Sequence, residues 1–167
     1  MSAVSNWFRA YGFADVLDDL VIGAYPLDAE DVSMLEWMGV QRVLNLCQDK
    51  EYHPGERAEV QAALARAGIE ERRIDTTDFG DLPPEALDAA VRQVSEWLDE
   101  HARVYLHCRA GRQRSAAVAA GVLAQRDGID PDVALARVQA RKPSAEPLPH
   151  QVDDLRLWWQ QRQGTQG

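Results

Sequence analysis

The nine residues His107-Cys108-Arg109-Ala110-Gly111-Arg112-Gln113-Arg114-Ser115 follow an apolar run, Val104-Tyr105-Leu106, and precede an alanine-rich stretch. That order predicts a strand, a tight loop and a helix start that meet at a cysteine. Such a loop turns its backbone N–H groups inward at a helix N-terminus, where they and the helix dipole favour an anion. The same field, with cations nearby, lowers a cysteine pKa from ~8.5 into a range of ~3.5–7.5. Cys108 is therefore expected to be a thiolate at the floor of an anion pocket.

Five residues separate Cys108 from Arg114, enough to curl the chain round a tetrahedral oxyanion and bring a guanidinium over it. The planar fork of Arg114 matches two phosphate oxygens, which a lysine could not do. Gly111 allows a positive φ or a close backbone approach. Ser115 places a hydroxyl where it can donate to the sulfur, and His107 is expected to orient the loop through backbone carbonyls and to help set the acidity of the cysteine. Ala110 and Gln113 complete the cradle, while Arg109 and Arg112 make it locally basic. The chemistry this predicts is a two-step phosphomonoester hydrolysis through a phosphocysteine, with no metal and no cofactor. A cysteine with an arginine six positions later means little in a chain of sixteen arginines; it is His, Gly and Ser at fixed offsets that make the pattern specific.

Breaking a P–O bond to an alkoxide or phenolate also requires a proton donor, and the resulting carboxylate can then activate water. The segment Arg73-Ile74-Asp75-Thr76-Thr77-Asp78-Phe79-Gly80-Asp81-Leu82-Pro83-Pro84 offers three aspartates between a short strand and a Pro-opened helix. Asp75 is expected still in the strand. Asp81 looks like a helix cap, and the residues by themselves leave the acid open among the three.

His-Cys-x-x-Gly-x-x-Arg-Ser resembles the signature loop of the cysteine-dependent protein tyrosine phosphatase superfamily, and the size of the chain resembles its dual-specificity branch. The resemblance implies an α/β phosphatase domain and favours Asp78, four residues after the strand residue Ile74, with Asp81 as the alternative. Thr77–Pro83 and Ile22-Gly23-Ala24-Tyr25-Pro26-Leu27 are similar to segments of the phosphatidylglycerophosphate phosphatases of this superfamily. Arg109 and Arg112 match positions where members directed at phospholipids and phosphoinositides carry Lys or Arg. The implied substrates are thus a phosphorylated protein, or a phospholipid or inositol phosphate headgroup. A catalytically inactive phosphate-binding module is the reading from another class, and retention of Cys108, Arg114 and an Asp loop weighs against it. The segment after Arg141 matches the family pattern poorly, and no roles transfer there.

The chain has 167 residues, 46% of them hydrophobic, enough for one core and short for two. No apolar run is long enough for a membrane span and no signal peptide is readable, so a cytoplasmic protein is expected. A net charge of −9 argues against nucleic-acid binding; the oligomeric state is not legible. Two cysteines make no disulfide framework. Cys47 is either a small buried residue or a resolving thiol for oxidised Cys108, since Asn45-Leu46-Cys47 resembles the position of the backdoor cysteine in tensin-type lipid phosphatases.

Strands alternating with helices predict an α/β domain with a mostly parallel central sheet flanked by helices, with Cys47, Asp78 and Cys108 all following strand ends on one edge. Residues 1–14, bearing Trp7, Phe8, Tyr11 and Phe13, are expected to pack on the domain edge, and 15–163 to form the catalytic domain. Two short strands span Val16–Gly23, and Asp28 caps a helix to about Met38. A strand covers Val40–Cys47, a charged loop Gln48–Gly55, and a helix ends at Gly68. The strand Glu71–Ile74 precedes a helix opened by Pro83. Ser115–Asp127 is helical, as are Pro131 to about Ala140 and His150 to Arg162, leaving 164–167 as a frayed tail.

Overall fold

Apolar strands flanked by helices bury both faces of a sheet, so their side chains read as continuous hydrophobic runs. The computed structural model describes residues 4–166. Its sheet has five strands in the order β1-β2-β5-β3-β4: β1 (Phe13–Leu17), β2 (Leu20–Gly23), β3 (Arg42–Asn45), β4 (Glu70–Arg73) and β5 (Val104–His107). Strand β1 runs antiparallel to β2, and every other pairing is parallel. The charged sequence of β4, Glu-Glu-Arg-Arg, suits an edge that must not pair with another chain.

The register aligns Val21, Tyr105 and Val43 across the three central strands. They face one core with Phe8 of α1 (Asn6–Tyr11), Val32 and Leu35 of α2 (Ala29–Trp37), and Val60 and Leu64 of α3 (Glu56–Ala67). Their neighbours Ile22, Leu44 and Leu106 face the other core, against α4 (Pro84–Asp99), α5 (Arg114–Asp127), α6 (Pro131–Arg141) and α7 (Pro149–Gln166). Leu87, Val91, Val94 and Leu98 of α4 are buried on one face, as their spacing requires. Helix α5 is buried from Arg114 through Ala124. A Cβ on its Gly121 would lie 2.9 Å from Val91 Cγ2 and 3.4 Å from Trp158 Cζ3, so glycine is what lets α4 and α7 approach it.

Several boundaries differ from expectation. Strand β1 begins at Phe13, since that residue pairs with Gly23. Strand β4 ends at Arg73, which puts Asp75 outside the sheet, where it faces Arg73 at 3.4 Å. Pro83, not Asp81, stands at the N-cap of α4, and no side chain caps that helix. Helix α7 runs through Gln166, so 164–166 are helical where a frayed tail was expected; residue 167 lies outside the described residues. Of the expected N-terminal segment, residues 4–14 pack on the domain as α1 and the start of β1, through buried Phe8, and residues 1–3 lie outside the described residues. Among the described residues no helix is long and apolar enough to cross a membrane.

Replacing Gly121 by valine is expected to overpack this junction and cost about 1–3 kcal/mol. Thermal unfolding reads the change, each kcal/mol lowering Tm by roughly 2–4 °C in a domain of this size.

Candidate active site

Strand β5 delivers Cys108 at the carboxyl edge of the sheet, and the loop curls back into the first turn of α5. Gly111 makes this curl possible for two reasons. Its φ is +71°, and a Cβ there would lie 2.3 Å from the backbone carbon of Gly23. The loop thus lies backbone against backbone on the end of β2, where Tyr25 N–H donates to the Arg109 carbonyl at 3.1 Å. His107 is buried, and its Nδ1 lies 3.1 Å from the Cys108 carbonyl, which can only accept, so Nδ1 carries the proton. Burial lowers the pKa of His107 to about 4. The ring is therefore neutral at pH 7, and it orients the loop rather than charging it.

Ser115 Oγ lies 3.3 Å from Cys108 Sγ, and the N–H groups of Ser115 and Gln113 also bond the sulfur. Burial alone would push the thiol pKa up, but the Arg114 guanidinium and these donors bring it below the ordinary value. Arg114 itself is 1% exposed. Its Nη1 donates to Glu51 Oε2 at 3.0 Å and its Nη2 to Glu51 Oε1 at 2.6 Å. The carbonyls of Leu46 and Thr76 accept from Nη1 at 3.2 and 3.1 Å. Burial would raise the Glu51 carboxyl, but Arg114 and the Gln48 N–H hold it below the ordinary range.

Asp78 faces the same guanidinium, its Oδ1 lying 3.2 Å from Arg114 Nη2 and its Oδ2 3.9 Å from Arg109 Nη1. Asp81 does not: its side chain is 83% exposed and 3.9 Å from His150. A cavity of about 210 Å³ opens above the sulfur, lined by the Arg109–Gln113 loop apart from Gly111, by Arg114 and Asp78, and by Trp7, Tyr11 and Phe79. Trp7 donates from Nε1 to the Arg109 carbonyl at 3.0 Å, and its ring lies 5.5 Å beneath the Arg109 guanidinium. Arg112 sits at the rim, 3.9 Å from Glu146. Among the described residues no cluster of His, Cys, Asp and Glu suits a metal ion.

Cys47 is buried and free, like Cys108. Burial and the neighbouring Glu51 carboxylate push its pKa well up. The small buried residue among the two readings of Cys47 thus has a physical basis, as a neutral thiol next to the ion pair. Glu51 is not legible in the sequence: it is one charge among many in a segment expected as loop, and nothing local distinguishes it. Trp7 and Tyr11, expected only to pack on the domain edge, also line the cavity; their spacing of four on one short helix is the available signal.

The rate of alkylation of Cys108 by iodoacetamide is expected to titrate below the ordinary thiol range, and Ser115→Ala to move it upward; an ordinary profile in the parent protein removes the thiolate assignment. Glu51→Gln removes the buried partner of this guanidinium and leaves it only the half-buried Asp78 carboxylate, a loss of up to about 3–5 kcal/mol. Because the folded state holds Glu51 below its ordinary pKa, the pair stabilises the protein above that range and fades as pH falls through the depressed value. Melting curves between about pH 3 and 7 should therefore lose part of their acid-side slope in the Gln variant, and an unchanged slope would contradict the pairing.

Comparison with known proteins agrees with this geometry. The family model described as "Dual specificity phosphatase, catalytic domain" matches residues 21–161. The human protein named phosphatidylglycerophosphatase and protein-tyrosine phosphatase 1 is 26% identical over 143 residues, covering 85% of this chain and 70% of its own length. The mouse protein of that name is 26% identical over 138 residues, covering 82% of this chain and 70% of its own length. In fold, the chain is similar to the crystal structure of PTPMT1 in complex with PI(5)P, with a TM-score of 0.80, 22% identity, and coverage of 93% of this chain and 99% of that one. The expected α/β fold, with one antiparallel edge strand on a parallel sheet, is that of these phosphatases. The chain belongs to the dual-specificity phosphatase catalytic-domain family and is a cysteine-dependent phosphatase.

Proposed function

We propose that Cys108 is the nucleophile, Arg114 the phosphate clamp, Asp78 the general acid and Ser115 the donor to the sulfur. The observation that carries this reading is the convergence of Cys108, Asp78 and the Arg114 fork on one small cavity. A phosphoryl oxygen takes over the Nη2–H now bonded to Asp78, which frees that carboxyl. The thiolate attacks phosphorus in line, an S–P bond forms, and the O–P bond to the leaving group breaks as Asp78, entering the cycle as the carboxylic acid, gives it a proton and is left a carboxylate. In the second step the Asp78 carboxylate takes a proton from water, the resulting hydroxide attacks phosphorus, and the S–P bond breaks. Sulfur leaves as a thiolate, stabilised by Ser115 and the loop N–H groups, and inorganic phosphate departs.

The substrate in this reading is a phosphomonoester on a phospholipid or inositol phosphate headgroup. Support comes from Arg109 and Arg112 at the rim and from the first activity in the relatives' name. A specific observation favours a second reading, phosphotyrosine in a protein: Trp7, Tyr11 and Phe79 wall the cavity, and an acidic surface of net charge −9 opposes approach to an anionic membrane. Two free cysteines and a reactive thiolate suit a reducing, cytoplasmic compartment.

Turnover of phosphatidylglycerophosphate vesicles, inositol phosphates and a phosphotyrosine peptide ranks the substrate readings. In each assay Cys108→Ser is expected to be inactive. Asp78→Ala is expected to slow an unactivated ester by ~10²–10⁴-fold and an activated aryl phosphate far less. Equal losses on both esters would remove Asp78 as the acid.

A further inference from the structure

The acid loop is pinned from both sides, and only one side belongs to the sheet. Before Asp78, Thr76 N–H and Oγ1 donate to the Leu46 carbonyl at 3.2 and 2.7 Å, and Ile74 N–H donates to the Asn45 carbonyl at 3.0 Å. After Asp78, the partners come from the C-terminal segment. Gln151, fully buried at the start of α7, donates from Nε2 to the Gly80 carbonyl at 3.1 Å while its Oε1 accepts Leu148 N–H at 3.0 Å. His150 Nε2 lies 3.1 Å from the same Gly80 carbonyl. The Asp154 carboxylate accepts Leu82 N–H at 2.8 Å, one of the first backbone donors at the entry to α4, a helix that has no side-chain cap of its own.

The other end of this segment grips the signature loop. Glu146 N–H donates to the Arg112 carbonyl at 2.6 Å, and Arg112 Nε donates to the Ser144 carbonyl at 3.3 Å. Buried Lys142 holds Ser144 Oγ at 2.7 Å. One run of chain, residues 142–154, therefore bonds both the loop that carries Cys108 and the loop that carries Asp78.

We propose that this run is a strap that sets the position of the acid relative to the nucleophile, with Gln151 and Asp154 as positioning residues that act through Asp78. The proposal rests on the assignment of Asp78 as the acid made above. A buried amide is costly unless both its ends are bonded, and both ends of Gln151 are used on the strap and the acid loop. A backbone segment between two strand-end and helix-end anchors keeps little freedom. Releasing the Gly80–Leu82 anchor frees the backbone after Asp78, so that the acid loop is held from the other side, at Ile74 and Thr76, and by the exchangeable contact of Asp78 with Arg114. Proton transfer to a leaving oxygen demands close placement, whereas an activated aryl phosphate hardly needs the proton.

The test uses the full chain with Asp154→Ala and Gln151→Met, the latter keeping side-chain volume, alongside Asp154→Asn, which retains a carbonyl oxygen for Leu82 N–H. For either disrupting variant kcat on an unactivated alkyl phosphate is expected to fall about tenfold more than on an activated aryl phosphate, and the alkaline limb of the pH–rate profile to flatten. Asp154→Asn is expected to restore both. In an Asp78→Ala background, Asp154→Ala is expected to add nothing further to the leaving-group effect. Should one disrupting variant fail to fold, the other carries the measurement. Equal losses on both esters, or full additivity with Asp78→Ala, overturn the strap. If Asp78→Ala itself shows no leaving-group dependence, it is the acid assignment that falls instead.

Discussion

A guanidinium that is 1% exposed is the constraint on which the rest of this structure depends. Taking such a charge out of water costs several kcal/mol unless it is paired and its donors are bonded, so Arg114 needs acceptors from whatever surrounds it. They come from the end of β3 at Leu46, from the turn after it at Glu51, and from the loop after β4 at Thr76 and Asp78. Three strand-end loops are thereby drawn to one point. The same charge lowers the Cys108 pKa. Fold and reactivity share a single solution: the ion that organises the carboxyl edge of the sheet is the ion that prepares the pocket for an anion.

The electrostatic design is a contrast between surface and site. Net charge is −9, yet the cavity is lined by Arg109, Arg112 and Arg114. Field lines converge in such a cleft, and a doubly negative phosphoryl group is guided inward while the outer surface repels anions in general. Glu51 does not spoil this: it accepts from Nη1 and Nη2 without lining the cavity, and it leaves the Nη2–H now bonded to Asp78 open to exchange. Trp7 adds a wall of another kind, flat and apolar, that also steadies the Arg109 guanidinium by lying beneath it. Under the proposed function, discrimination among phosphomonoesters falls to this wall and to the rim arginines, since the phosphate itself is common to all of them.

Much of the site was readable in the chain because its chemistry is local. Cys108, Gly111, Arg114 and Ser115 lie within eight residues, and a loop that must wrap a tetrahedral anion leaves little freedom in their spacing. The spacing of Leu87, Val91, Val94 and Leu98 suits the one buried face of α4, and Gly68 and Gly128 mark helix ends where the backbone turns left-handed. Asp78 is favoured in the sequence only by the family resemblance, a weaker constraint. It took the fold to place that carboxylate on the Arg114 fork and Asp81 out in solvent.

What no reading along the chain could reach are the partners that meet across long separations. Glu51 is 63 residues from Arg114 and sits among other charges with no local mark; only the approach of β3 to β5 turns it into a counter-ion. Trp7 lies 102 residues from the Arg109 carbonyl it bonds, and Gln151 is 71 from Gly80. In each case a short-range rule is silent, because burial and hydrogen-bond satisfaction are properties of a three-dimensional neighbourhood. Local order along the chain was enough to specify Cys108 and the loop that curls round it, since those atoms are held by a few consecutive torsions. The Glu51 counter-charge, the Trp7 wall and the anchoring of the Asp78 loop were decided by packing alone.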